Sequence, residues 1–162
     1  MVSNGTVQFK DGNTVIGTAA LNASGKAQFS TASLSVGVHS MTAAYLGSSN
    51  FVGSTSSALP QTVNKAKTTT SLVSSQNPSI KGKPVTFTAT VHPAFGGAPS
   101  GKVTFKNGAT VLGSAAVNTT THQTKFTTSK LSVGTHSITA DYAGDTNFLS
   151  SGSAVLKQVV KP

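Results

Sequence analysis

The sequence has no cysteine and no tryptophan, and aromatic residues make up only 6% of its 162 residues. Without cysteine there can be no disulfide bond, so any fold must be held together by packing alone. The core must therefore be built from Phe, Val, Leu and Ile. Hydrophobic residues still reach 36%, which is too many for disorder driven by charge. No apolar run is long enough to cross a membrane, so we expect no membrane span.

Negative charge is scarce, because the acidic residues are only Asp11, Asp141 and Asp145. Hydrolysis by paired carboxylates is therefore disfavoured, and a Ser-His-Asp set would lack the strand–turn–helix elbow that exposes the nucleophile. Two neighbouring aspartates fall short of a calcium site unless backbone oxygens help. His92 and His122 do not have the spacing of zinc ligands. We expect no catalytic residue, no cofactor and no metal.

Arginine is absent as well, so all 12 cationic residues are lysines, and they give a net charge of +9 and a pI of about 10.1. The lysines are spread along the chain, and arginine is the residue best suited to bidentate contacts with phosphate or guanine. Nucleic acid is therefore disfavoured as a partner. We interpret most of the charge as solvated strand surface, with a glycan or polyanion partner as the alternative.

What the sequence does contain is a duplication. LSVGVHSMTAAY begins at Leu34, and LSVGTHSITADY begins at Leu131. Upstream of them, residues 5–22 align with residues 101–118, and the offset grows by one residue in the polar stretch between the two matches. A repeated stretch of this length indicates one structural unit used twice.

Within each copy, apolar and polar residues alternate as in strands that bury one face. Asp-Gly and Asn-Gly pairs follow the first such strand and favour tight hairpins. A glycine in each return strand predicts a bulge. The inward positions before the hairpins are Val7 and Phe9 in the first copy and Val103 and Phe105 in the second, and the return-strand glycines are Gly17 and Gly113. The chain is predicted to be all-β.

Two further strands, at residues 68–75 and 84–91, precede the second copy only. Residues 67–162 are therefore predicted to form a complete sandwich of about seven strands. Residues 1–66 are predicted to supply only the last five strands of an incomplete one. A short linker at 63–67 would join the two repeats.

Three segments of the second copy, NPSIKGKPVTFTATV, SGKVTFKNGATVLGSAAV and LSVGTHSITADYAGDTNF, resemble the bacterial immunoglobulin-like repeats of group 3. The resemblance covers the second copy and the matching part of the first. It implies tandem seven-stranded Greek-key sandwiches in a large exported bacterial protein, with a spacer or adhesive role and no catalysis. It also implies an extracellular or cell-surface location, although residues 1–5 lack the features of a secretory signal.

A histidine repeated at the start of a predicted strand, His39 or His136, follows a Gly-containing corner. In immunoglobulin-like folds a tyrosine near this corner bonds back to the backbone. We predict that one ring nitrogen of each histidine donates to a carbonyl of the preceding loop. Tyr45 and Tyr142 are assigned to the same structural corner.

The leading functional hypothesis is a non-enzymatic spacer whose partners are the neighbouring immunoglobulin-like domains of a parent chain. An adhesin that binds glycans or polyanions is the alternative, with Phe95, Lys81 and Lys83 as speculative ligand contacts. A filament subunit joined through its incomplete domain is a third hypothesis.

The two strands absent from the first repeat would contribute a large share of its core. A strand like 85–91 buries about four side chains, on the order of 6–12 kcal/mol together, which rivals the stability of a small domain. Three explanations stay open: the chain is a fragment, another protein donates the strands, or two open faces pair in a self-associated dimer.

Overall fold

Period-2 alternation of apolar residues produces strands along the whole chain in the computed structural model, which describes residues 5–162. The start of the chain, considered above for a secretory signal, lies partly outside this range. The chain divides into two units, Met1–Asn64 and Lys65–Pro162. The part of the chain that the structure describes contains no helix long and apolar enough to span a membrane.

Unit 1 (Met1–Asn64) is a single antiparallel sheet in its described part. β3 lies beside β1, β1 lies beside β2, and β4 and β5 pair with the other edge of β3. The strands are β1 (Thr6–Asp11), β2 (Thr14–Ala20), β3 (Gly37–Tyr45), β4 (Ser54–Thr55) and β5 (Leu59–Val63).

Unit 2 (Lys65–Pro162) has two sheets. The larger has the order β10-β9-β12-β14-β7, with β13 also paired to β12, and the smaller has the order β11-β8-β6. The strands are β6 (Thr68–Ser74), β7 (Ser79–Ile80), β8 (Val85–Pro93), β9 (Lys102–Asn107), β10 (Thr110–Ala116), β11 (Gln123–Thr128), β12 (Gly134–Tyr142), β13 (Ser151–Gly152) and β14 (Leu156–Lys161).

The core of unit 2 lies between its two sheets. Inward side chains of β8 meet inward side chains of β9 and β12, and all of them are 0–2% exposed. The residues from β8 are Val85, Phe87, Ala89 and Val91, and those from β9 and β12 are Val103, Phe105, Ile138, Ala140 and Tyr142. This packing confirms an all-β sandwich.

The two units share the register of their common strands. Val7 lies opposite Tyr45 as Val103 lies opposite Tyr142. Each hairpin also shifts register at the same place, beside Phe9 and beside Phe105. A side chain on the return-strand glycine would strike an aromatic ring, because a Cβ at Gly113 would lie 2.6 Å from Cε2 of Phe126.

Residues 26–31 of unit 1 align with β11 but do not form a strand. In unit 2, β11 exists because it pairs with β8 along its whole length. Unit 1 has no counterpart of β8 among its described residues. The difference shows that this strand depends on its partner rather than on its own sequence.

We expect Gly113→Ala to destabilise unit 2 by about 1–3 kcal/mol, because the new methyl group must displace the Phe126 ring from its stack on Phe105. The matched control is Gly96→Ala, since a Cβ at Gly96 meets no atom within 4 Å and its φ is not in the left-handed region. Urea unfolding of both variants measures the difference. Equal midpoints for the two would contradict this account of the bulge.

Candidate functional site

A histidine fixes the loop that precedes the long central strand of each unit. Nε2 of His39 lies 2.8 Å from the carbonyl oxygen of Ser35, and Nε2 of His136 lies 2.8 Å from that of Ser132. A carbonyl can only accept, so Nε2 carries a proton in both rings and donates it. We call each of these arrangements a histidine corner.

The second ring nitrogen of each corner contacts the hairpin turn, and here the two units differ. Nδ1 of His39 lies 2.6 Å from Oδ2 of Asp11, whereas Nδ1 of His136 lies 2.9 Å from Nδ2 of Asn107. The amide of Asn107 donates to the neutral ring, but a carboxylate requires a second proton on the ring of His39. The corner of unit 1 is therefore an ion pair when His39 is charged, and the corner of unit 2 is a neutral pair.

The environment of His39 favours its charged form. The hydrogen bond to the Ser35 carbonyl and the hydrogen bond to Asp11 raise the pKa of His39 above 6.5, burial acts against them, and the charge of Asp11 adds to the rise. Asp11 also accepts from the backbone N–H of Ser40 at 3.2 Å. One carboxylate therefore holds both the ring and the backbone of β3.

The tyrosines do not belong to the histidine corners. Each stands at the last position of the strand that begins near the histidine, about 20 Å away along the strand. A Cβ at Gly5 would lie 2.5 Å from the Tyr45 ring, so the ring packs against the chain just before β1. Burial, followed by the nearby charge of Asp145, raises the pKa of Tyr142 to about 12. The prediction that tyrosine and histidine share one corner was therefore wrong, because the two residues lie near opposite ends of the same strand.

Asp145 ties together two loops at the tyrosine end of unit 2. Its carboxylate accepts from the hydroxyl and backbone N–H of Ser100 and from the backbone N–H groups of Asn147 and Phe148, at 2.7–2.8 Å. Burial alone would raise the pKa of Asp145, but these four hydrogen bonds outweigh it and lower the pKa to about 2. Unit 1 has Ser48 at the aligned position, so it lacks this carboxylate.

Gln158 is a functional residue that sequence reasoning missed. Its side chain is fully buried in β14. Its Nε2 donates to the Gln76 carbonyl at 2.9 Å and to Oγ of Ser79 at 3.1 Å, and its Oε1 accepts from Oγ of Ser74 at 2.7 Å. We call these contacts the Gln158 network. In the segment LKQVVK, Gln158 is a polar residue at a position that the alternation places inward, and this pattern could have indicated its role.

Asn77 extends this connection to the backbone of β14. Its Nδ2 donates to the Lys157 carbonyl at 2.7 Å, and its Oδ1 accepts from the Val159 N–H at 2.9 Å. β14 also pairs in parallel with β7 and antiparallel with β12. The last strand of unit 2 is therefore held by main chain on both sides and by two amide side chains.

The speculative ligand contacts are not brought together. Phe95 is 77% exposed in the loop after β8, whereas Lys81 and Lys83 lie in the turn before β8. The nine residues of β8 separate these places by about 30 Å. The three side chains therefore cannot contact one small ligand.

The remaining carboxylate is paired at the surface. Oδ2 of Asp141 lies 2.7 Å from Nζ of Lys106, and both side chains are partly exposed to solvent, so the pair contributes little to stability. Within residues 5–162, no group of three His, Cys, Asp or Glu side chains is placed to hold a metal ion.

The two-sheet antiparallel sandwich of unit 2 is the architecture of an immunoglobulin-like module. The family model for the bacterial Ig-like domain (group 3) matches residues 2–64 and residues 72–161. The chain therefore belongs to the family of bacterial Ig-like domains of group 3, which confirms the resemblance drawn from the sequence.

The fibronectin(III)-like modules of Clostridium thermocellum CbhA are 19% identical to the chain, with 98% of this chain and 78% of that chain covered and a TM-score of 0.42. No curated protein matches the chain.

We expect the stability of unit 1 to fall as the pH rises. Folded unit 1 binds the His39 proton more tightly than the unfolded chain does, so this contribution is fully present below the unfolded pKa of 6.5. It is lost as the pH passes through the higher pKa of the folded state. NMR titration of the imidazole, together with thermal unfolding between about pH 5.5 and about pH 8.5, measures both effects.

The duplication supplies reciprocal controls for this pH dependence. Asp11→Asn gives unit 1 the neutral corner of unit 2 and should remove the dependence, and Asn107→Asp should introduce it into unit 2. A pH dependence that persists unchanged in Asp11→Asn would show that another group causes it.

We expect Gln158→Ala to destabilise unit 2 by about 2–4 kcal/mol, because it leaves a cavity at a fully buried position and removes the hydrogen bonds that the amide makes to Ser74, Gln76 and Ser79. The control is Gln61→Ala, since Gln61 occupies the aligned position in unit 1 and is exposed. That variant should change stability by about 0.5 kcal/mol or less. Calorimetry of the two variants measures both values, and a larger loss for Gln61→Ala would contradict the role of the network.

Proposed function

We propose that the protein is a non-enzymatic spacer of an exported bacterial protein, working outside the cell as a load-bearing link between neighbouring domains. The observation that carries the proposal is the direction in which the chain runs through unit 2. Membership of the Ig-like family supports it as well, since modules of this class hold and separate other domains.

The chain enters and leaves unit 2 at opposite ends of the sandwich. Near the start, the backbone of Ala66 bonds to Asn147 and Leu149, which follow the Tyr142 end of β12. At the finish, Val160 of β14 pairs with Gly134, the first residue of β12. The ends of unit 2 therefore lie on a line parallel to β12, as a linear spacer requires.

Tension along this line loads both terminal strands along their own axes. β6 would have to slide against β8, and β14 would have to slide against β12 and β7. All the hydrogen bonds of each strand then share the force, whereas peeling a strand from one end breaks them one at a time. The Gln158 network and Asn77 add side-chain bonds that resist the same sliding.

The absence of cysteine makes the spacer proposal directly testable by force spectroscopy. Cysteines introduced as Lys65→Cys and Lys161→Cys attach handles for pulling along the axis, and Ala109→Cys with Lys161→Cys attaches them across it. We expect unit 2 to unfold at a clearly higher force along the axis, and Gln158→Ala to lower that force.

The two pulling directions serve as controls for each other, because the axial and the transverse cysteine pairs load the same folded unit. Equal unfolding forces in the two directions would count against a load-bearing role. So would an axial force that Gln158→Ala leaves unchanged.

A further inference from the structure

The sheet of unit 1 leaves most of one apolar face uncovered, and we call this the open face. It is formed by Val7, Phe9, Met41, Ala43 and Tyr45; Val7 is buried at 8% exposed, and the other four are only partly buried. Their counterparts in unit 2 are 0–2% exposed. At the rim of this face, Phe51 is 46% exposed, whereas the aligned Phe148 is 6% exposed. Open grooves of about 670 Å³ and about 630 Å³ run across this surface.

Unit 2 shows what covers such a face. Its β8, with the inward residues Val85, Phe87, Ala89 and Val91, lies over the residues aligned with the open face, and β6 pairs with β8. The sheet beneath has the same register in both units. A strand pair of the β6–β8 type therefore matches the open face in shape and in apolar pattern.

Unit 1 also has an unpaired backbone segment, residues 27–30, with which such a strand can pair. Phe29 stacks on Phe9 with ring centroids 5.5 Å apart, as Phe126 stacks on Phe105 at 5.6 Å. Residues 27–30 are thus held over the sheet, yet their backbone makes no backbone hydrogen bond to any other described residue. In unit 2 the aligned backbone pairs with β8, with Phe126 opposite Phe87.

Gln61 is the most specific of these features. It aligns with Gln158, whose Nε2 donates to the next carbonyl, that of Val159, at 3.1 Å, and Nε2 of Gln61 likewise donates to the next carbonyl, that of Thr62, at 3.2 Å. Among residues 5–162 this is the one hydrogen bond its side chain makes, and the residue lines a groove of the open face. It lacks the partners that Ser74, Gln76 and Ser79 provide to Gln158.

We propose that the open face of unit 1 binds an antiparallel strand pair with the residue pattern of β6–β8. The incoming inner strand pairs with residues 27–30, places its aromatic residue opposite Phe29, and covers the open face. The turn that follows the outer strand provides the partners of Gln61. A second copy of unit 1 would cover the apolar residues but brings no such turn.

The test uses the full chain labelled with ¹⁵N and a synthetic peptide of residues 67–93. We expect saturable shifts at residues 26–31 and along the open face, slower amide exchange at 27–30, and an unchanged unit 2. The same peptide with Phe87→Asp should not bind. Gln61→Ala in the chain should weaken binding roughly tenfold, as expected for one or two lost hydrogen bonds, whereas the outward Thr62→Ala should not.

Three results would overturn the proposal. The first is an absence of shifts and of exchange protection at 27–30. The second is a dimer in sedimentation equilibrium, closed through the open face, that the peptide does not dissociate. The third is binding that Gln61→Ala leaves unaltered, since the turn would then not sit where the proposal places it.

A joined chain keeps the test decisive if the free peptide aggregates. Residues 67–100 placed directly before Gly5 restore the order found in unit 2. We expect this chain to be monomeric, with 27–30 protected from exchange and with unit 1 unfolding at a higher temperature. Phe87→Asp in the added segment alone should abolish all three effects, and a joined chain that lacks them would refute the proposal.

Discussion

The structure depends on one constraint: a sheet with an apolar face must have that face covered. In unit 2 the packing of β8, with Phe87, against the layer around Phe105 meets this constraint. β11 becomes a strand because β8 is beside it, and Gln158 is buried because β6 and β7 close over it. In unit 1 a covering layer like that of β8 is absent among the described residues, and the residues aligned with this core are only partly buried, except Val7.

With few charges available, the chain uses each carboxylate for a structural bond. Asp11 holds a histidine ring and a strand backbone, Asp145 holds two loops, and Asp141 pairs with Lys106. Asp11 and Asp145 each accept several hydrogen bonds, including bonds from residues distant in sequence. Such charge-assisted bonds fix the position of the loops that they join. Asp141 is partly exposed to solvent and contributes little.

Local patterns in the sequence were enough to predict strands, hairpins and the bulge beside Gly113, because alternation and Asn-Gly pairs act over a few residues. The pairing of Asp11 with His39 was not predictable in the same way, since it depends on the register of strands 28 residues apart. Residues 26–31 show a second limit of prediction from local sequence. They align with β11, yet they form no strand in unit 1, where no counterpart of β8 is present among the described residues. Gln158 could have been noticed as a polar residue at an inward position, but its partners could not.

The two units also differ in how their stability depends on pH. The carboxylate of Asp145, with a pKa of about 2, contributes stability that is present above the ordinary aspartate value and is lost only as the pH falls towards 2. The proton that strengthens the His39 corner is likewise retained in acid. Raising the pH therefore weakens the first unit of the chain before the second.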